Sequence, residues 1–416
     1  MLTLTKSILV FRVSMFLLEP AKLYVTESLE SFLIRLCQAN GFESYRIMAL
    51  VIRDWMYNND FESAGAWPLV LEQANIFHAN HSSGFRVRAF KLLDSLFSDS
   101  TSSVLERCLL NSATLFSPKI SSVSYQNVFI PQLFIRRKGI PVCPECLKEN
   151  ACIPVLWHVE PYQVCHHHQC ELISHCPSCN RQLNYVESEQ ITKCECGYDL
   201  CFMEKLHSQS NALKLSQYIA GEKVNGLPDG LDISERLGII LWFYKRYPNV
   251  NSYDANAIVE YFSQWPNIYI DELNAISEHA IDRQIKPFNH TDFNLIFGDI
   301  LSSCRKLPYR NPEQNIIQQA SIDYLIKLVE QNPKSKTSNF ADLRLNIIEV
   351  SGVLSTSVEQ VYRLVEEGYL QLAIRLKIRE RLPPFKGAFY LRQVIELRQS
   401  QTPLPQSKQI TYLPSW

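Results

Sequence analysis

No stretch of this 416-residue chain is apolar for long enough to span a bilayer. The apolar run Ser7-Ile8-Leu9-Val10-Phe11 is too short for a secretory h-region, and no small-residue cleavage site follows it. Excess charge of either sign is also missing: 41 Lys and Arg face 42 Asp and Glu, for a net charge of −1. A protein that coats nucleic acid by bulk charge is thereby excluded, and any such contact must come from a local patch. The chain contains no Gly-rich phosphate loop, no nucleophile elbow, no internal repeat and no long low-complexity tract. Cysteine is nearly absent outside one window, with Cys37, Cys108 and Cys304 the exceptions.

Inside that window the density reverses. Cys143, Cys146, Cys152, Cys165, Cys170, Cys176, Cys179, Cys194, Cys196 and Cys201 account for the other ten of thirteen cysteines. A secreted disulfide scaffold is small and rich in cysteine throughout. One dense island in a large, otherwise cysteine-poor protein indicates metal binding in a reducing, cytoplasmic setting.

The island is ordered in pairs. Cys143-Pro-Glu-Cys146 is a CxxC knuckle, and Cys165 with His168 supplies a CxxH partner eighteen residues later. Three thiolates and one imidazole form the closed tetrahedral set of a structural zinc site. A second set follows: Cys176-Pro-Ser-Cys179 and, after fourteen residues, Cys194-Glu-Cys196, whose tighter spacing is followed by Gly197. That glycine permits the turn that points backbone amides at a thiolate. The expected ligands are therefore Cys143, Cys146, Cys165 and His168 for one Zn2+, and Cys176, Cys179, Cys194 and Cys196 for another. His166 and His167 are rivals to His168. Cys170 and Cys201 could substitute in the second site, and Cys152 reads as a small buried residue. Each set already offers four protein ligands, whereas a catalytic zinc keeps a position for water. The metal is expected to hold the fold, and the chain is not expected to be an enzyme.

Around the island the pattern is mainly helical. Leu29, Phe32, Leu33 and Leu36 mark one helical face. Thr26 or Ser28 can cap that helix and Gly41 can end it. Further helices are read at Tyr45 to Trp55, Phe85 to Phe97 and Val104 to Leu110. Residues 15–118 form an N-terminal helical, helix-turn-helix-like domain in this reading, and residues 119–205 a tandem zinc-finger region entered through a connector at 119–140. Residues 206–340 form a helical domain with Trp242, Tyr244, Phe262 and Trp265 in its core, ending at the polar break Asn332 to Asn339. Residues 341–416 read as a winged helix-turn-helix-like segment. Its parts are a helix over Leu343 to Val350, a turn at Gly352, a second helix capped by Thr356 and Glu359 that ends at Gly368, the basic residues Arg375, Lys377, Arg379, Arg381 and Lys386, and a last helix around Tyr390 to Leu397. The second of these helices carries Glu359, Glu366 and Glu367 against Arg363, which suits protein contact at least as well as phosphates.

Cys143-Pro-Glu-Cys146, Leu156-Trp157-His158, Cys165 with His168, Leu172, and Cys176 with Cys179 resemble the signature of the TniQ family of transposition proteins. The segment opening at Met15, MFLLEPAKLYVTESLESFLIRL, resembles the family's N-terminus, so Met15 is a plausible start and residues 1–14 either an extension or a start-site error. Many members carry Pro where His166 stands, which leaves the identity of the ligand histidine open. Length and both ends are most similar to the short TniQ of CRISPR-associated transposons that use a type I-F Cascade. That resemblance implies a homodimer bound to Cascade through the crRNA-processing endonuclease subunit and an adjacent backbone subunit. It also implies recruitment of the AAA+ regulator TnsC, with crRNA and target DNA met mainly through the complex. The alternative is a sequence-specific DNA-binding target selector of the TnsD type, for which residues 375–386 supply a local basic patch.

Overall fold

The computed structural model describes residues 24–79, 81–97, 103–116, 120–250, 253–304, 307, 314–375 and 382–401. Met15, and Lys377, Arg379 and Arg381 of the basic patch, lie outside the described residues. The described chain is mainly α, with sixteen α-helices and seven short strands. Among the described residues no helix is long and apolar enough to cross a membrane. Contacts gather the described residues into two compact units, the first running to Thr114 and then Ile120–Asn225 with residues 253–259 added, the second comprising Leu115 and Phe116, Gly226–Val250 and Glu260 onward.

In the first unit, α1 (Leu29–Ala39) is capped by Ser28, whose hydroxyl accepts from the Ser31 amide. Its stripe Leu29, Phe32, Leu33 and Leu36 is buried as its spacing requires. Gly41, with φ +68°, takes the chain out of the helix. Then follow α2 (Tyr45–Asn59), α3 (Phe61–Ala66) and α4 (Ser83–Asp94).

Two expectations give way here. A single 3₁₀ turn, Val104–Arg107, replaces the helix read at 104–110, and the connector is a sheet. Its strands are β1 (Leu110–Phe116), β2 (Ile120–Tyr125) and β3 (Val128–Pro131), in the order β1-β2-β3. Gln126 and Asn127, at φ 47° and 66°, make the two-residue turn between β2 and β3, and a turn of that hand matches the twist of the strands it joins. Arg107, 1% exposed, donates to the Ser103 and Tyr24 carbonyls just ahead of the sheet. The unit continues with α5 (Pro144–Glu149), the hairpin β4 (Val164–Cys165) and β5 (Cys170–Glu171), α6 (Tyr185–Ser188) and α7 (Ser210–Ile219).

The second unit begins with α8 (Ile233–Arg246), started by a capping box between Asp232 and Glu235. With the last turn of α9 (Ala255–Ser263), from Glu260 on, and α10 (Asn267–Asp282) it builds an aromatic core in which Trp242 meets Tyr261, Trp265 and Tyr269 edge-on or tilted. These rings pack against one another as hydrophobic mass. Shorter helices α11 (Asn294–Phe297) and α12 (Ile300–Cys304) precede α13 (Ile316–Gln331).

The closing segment runs β6 (Arg344–Leu345), α14 (Ile347–Val353), α15 (Val358–Glu366), β7 (Phe389–Tyr390) and α16 (Leu391–Gln401), with β6 antiparallel to β7. Gly352 lies inside α14 rather than in a turn. A Cβ there would come within 3.2 Å of the Leu301 carbonyl oxygen, so the glycine serves close packing against α12. The turn falls at Ser355, φ 55°, and Ser357 rather than Thr356 caps α15 by accepting from the Gln360 amide. Gly368, φ +80°, ends that helix as expected.

Candidate metal centres

The first cluster is assembled from two local structures. Cys143 is the N-cap of α5 and Pro144 its first residue, a placement that leaves helix amides facing the thiol; the Cys146 amide donates to the Cys143 sulfur at 3.5 Å. The other half is the β4–β5 hairpin, whose turn includes Gln169 at φ 52° and is closed by the Gln169 amide on the Cys165 carbonyl. Gly139, φ +69°, steers the chain into the knuckle where a side chain would run into Gln182.

These elements bring Cys143, Cys146, Cys165 and His168 together, with all four candidate ligand atoms within 4.8 Å of one another. Cys146 Sγ lies 3.5 Å from Cys165 Sγ and 3.2 Å from His168 Nδ1, and the Cys143 and Cys165 sulfurs are each 3.6 Å from that nitrogen. A tetrahedral zinc with bonds of about 2.3 Å to sulfur and about 2.0 Å to nitrogen has sulfur–sulfur edges of about 3.8 Å and sulfur–nitrogen edges of about 3.5 Å. The donor set therefore fits the ion in chemistry and in size.

Cys176, Cys179, Cys194 and Cys196 form the second cluster, again with all four sulfurs within 4.8 Å of one another. Cys176 and Cys196 are 3.7 Å apart, as are Cys179 and Cys194. Both knuckles turn through left-handed residues, Asn180 at φ 55° and Gly197 at φ 86°, so Gly197 does the conformational work its position predicts. The Cys176 amide donates to the Arg181 carbonyl and the Cys194 amide to that of Tyr198, pinning each knuckle as a closed loop.

Thiols packed this closely cannot all ionise unaided. Hydrogen bonds from the Cys146 and Cys165 thiols hold the Cys143 thiol down to about 7, while the hydrogen bonds with Cys143 and Cys165, and then burial, drive Cys146 up. In the second cluster the Tyr198 amide helps lower Cys196 to about 7, and burial pushes Cys194 up to about 12. A divalent cation removes this conflict by displacing the protons.

Among the three consecutive histidines, His168 alone turns Nδ1 to the sulfurs. Its Nε2 lies 3.0 Å from Glu149 Oε1, the carboxylate partner that orients a ligating imidazole. Burial pulls this histidine down, but Glu149 and the Cys165 sulfur outweigh it and raise it to about 9. His166 is instead held by Tyr162, whose hydroxyl lies 2.7 Å from Nδ1, and His167 lies tilted against His166 with 3.9 Å between ring centres.

Of the spare cysteines, Cys152 is buried, 7% exposed, and Cys201 belongs to neither cluster. Cys170 departs from expectation. It stands beside the first cluster, not the second, with its sulfur 3.6 Å from that of Cys143. Spacing along the chain could not show this, because the contact arises from the cross-strand register of the β4–β5 hairpin, where Cys165 and Cys170 are direct partners.

The Leu156-Trp157-His158 motif supports the island from below. Trp157 is 1% exposed, and buried His158 sits 2.8 Å through Nε2 from the Tyr185 hydroxyl, which reaches Ser28 at the head of α1 at 2.8 Å. Thus α1 and the metal region share one hydrogen-bonded chain. Residues 20–172 match the TniQ family model, a stretch that contains the whole first cluster and Cys170 and stops short of the second cluster. No curated protein matches the chain.

Proposed function

We propose, from the premise that residues 20–172 match the TniQ family and so support a transposition-associated protein, that this chain is a zinc-stapled adaptor in target selection. In this reading it bridges a type I-F, guide-RNA-directed Cascade to the transposition machinery by recruiting the AAA+ regulator TnsC. The observation that carries the structural half is the pair of four-donor clusters embedded in a helical unit. Zinc bound there supplies a cross-link between knuckles distant in sequence, and its binding free energy becomes folding free energy. Four protein donors per site leave no position for an activated water, so the reading assigns the chain no reaction of its own. Thiolate ligands of this kind persist in a reducing compartment, hence a cytoplasmic protein.

Direct DNA reading of the TnsD type is the weaker alternative. The described surface of α15 and its end exposes Glu366 and Glu367 beside Arg363, together with Tyr362 and Tyr369. Carboxylates there oppose approach to phosphates. Affinity purification with type I-F Cascade separates the two. The adaptor co-purifies stably with Cascade, retains TnsC, and shows no preference among DNA sequences when alone. Tight binding of specific DNA without Cascade, abolished by substituting Arg375, Lys377, Arg379 and Arg381, establishes the alternative instead. The same reading expects a homodimer, and a monomer by light scattering at micromolar concentration counts against the Cascade-linked subgroup.

A further inference from the structure

A fifth possible donor, Cys170, stands beside the four-donor first cluster. Cys170 is 0% exposed, has its sulfur 3.6 Å from Cys143 Sγ, and is the direct cross-strand partner of Cys165. Residues opposed in an antiparallel pair project to the same face with Cβ atoms about 5 Å apart, so Cys170 faces the cluster alongside Cys165. Its separation from Cys143 equals that of the His168 nitrogen from the same sulfur, 3.6 Å. Backbone contacts hold it there: Cys170 bridges to His207, and the Glu171 amide donates to the Leu206 carbonyl at 3.1 Å. His168 is the donor with the least support from regular structure. It lies in the hairpin turn and is steadied by Glu149, whose carboxylate is 63% exposed.

We propose that Cys170 is a reserve ligand of the first metal centre. With His168 in place it donates its S–H to the metal-bound Cys143 sulfur; when the imidazole is lost or displaced, it completes a four-sulfur site. The substitution is balanced: the Cys170 thiol loses its proton to solvent and forms the metal–sulfur bond as the metal–nitrogen bond breaks. Soft thiolate donors suit zinc at least as well as imidazole, so the exchange preserves a closed site. This inference rests on the zinc reading of the two clusters, and the experiment separates the two claims.

Full-length protein is analysed for metal content and, after cobalt(II) replacement, by visible and near-ultraviolet absorption. Wild type should carry two equivalents; markedly less in folded material overturns the zinc reading itself. His168→Ala should keep two equivalents and show a stronger sulfur-to-cobalt charge-transfer band than wild type, from a fourth thiolate. Cys170→Ala should keep two equivalents with an unchanged band, and His168→Ala with Cys170→Ala should fall to one. An unchanged or weaker band in His168→Ala means that water or another group fills the position and overturns the role of Cys170, as do two equivalents in the double variant. Should the double variant be insoluble, the His168→Ala cobalt spectrum decides alone, since it requires only the single substitution.

Discussion

Glu30 and His158, two buried residues of the first unit, give its stability opposite dependences on pH. Burial raises the Glu30 carboxyl to about 7, against which the hydrogen bond from Asn75 is the smaller effect; its Oε2 has no hydrogen-bond partner among the described residues. The folded state therefore holds this proton more tightly than the unfolded chain, and the stability it confers is present at low pH and lost as pH rises from 4.5 through 7. His158 is lowered to about 4, by burial and then by Arg136. Here the unfolded state binds the proton more tightly, so stability is kept above pH 6.5 and lost as pH falls toward 4. Glu30→Gln should raise the unfolding free energy at pH 8, by on the order of 3 kcal/mol, and do little at pH 4.5. His158→Gln should flatten the acid side between pH 6.5 and 4 while leaving pH 8 little changed. Chemical denaturation at a series of pH values reads both; a Glu30→Gln effect that is the same at pH 4.5 and 8 would show that the carboxylate charge is not its source.

At the same scale, Cys143→Ala and Cys176→Ala each remove one sulfur from a four-donor set. Each should yield insoluble or misfolded protein, because the ligand's contribution to metal binding is a contribution to folding. Full solubility with two bound zinc ions in Cys176→Ala, or in Cys143→Ala combined with Cys170→Ala, would contradict the ligand sets.

For local elements, two glycines at the metal centres make a contrast that isolates the cause of strain. Gly139 and Gly197 both have positive φ, at +69° and +86°. A Cβ on Gly197 meets nothing within 4 Å, whereas one on Gly139 collides with the Gln182 side chain. Gly197→Ala should thus cost only the left-handed backbone penalty, about 1 kcal/mol. Gly139→Ala should cost more, roughly 2–3 kcal/mol, by adding displacement of Gln182. Denaturation midpoints compare the pair directly, and equal losses would mean that Gln182 moves aside freely. Gly197 could be identified from sequence because it follows Cys196 in a recognisable knuckle. The need at Gly139 could not, because Gln182 comes from 43 positions later. The same distinction governs the rest of the fold. Helix α1, with its four-residue stripe and serine cap, and the paired cysteines are local patterns and were readable. The sheet at 110–131 was not: LNSATLF and ISSVSY show little alternation of apolar and polar residue types, although burial alternates along β1, and the turn is Gln126-Asn127 instead of a glycine pair. Cys170 likewise depends on hairpin register, and Gly352 on its approach to Leu301.

For the molecule as a whole, both clusters lie in the first unit, and the second contains neither. The two units also draw stability from different sources. The first joins its metal region to α1 through Ser28, Tyr185 and His158, so loss of metal reaches α1. The second has an aromatic core around Trp242, Trp265 and Tyr269, and a closing segment tied together by Arg398 donating to the Val353 carbonyl and Gln318 donating to that of Gly352. Removing metal should therefore leave the second core's own contacts intact. Treatment with a strong zinc chelator, followed by hydrogen–deuterium exchange, should abolish protection across α5, the β4–β5 hairpin and the second cluster, and weaken it in α1. Protection in α8, α10 and α13 should persist. Uniform loss of protection in both units would show that the second depends on the metal region for its folding. Unchanged protection around Cys143 to Cys196 after complete metal removal would show that the clusters do not hold the first unit together.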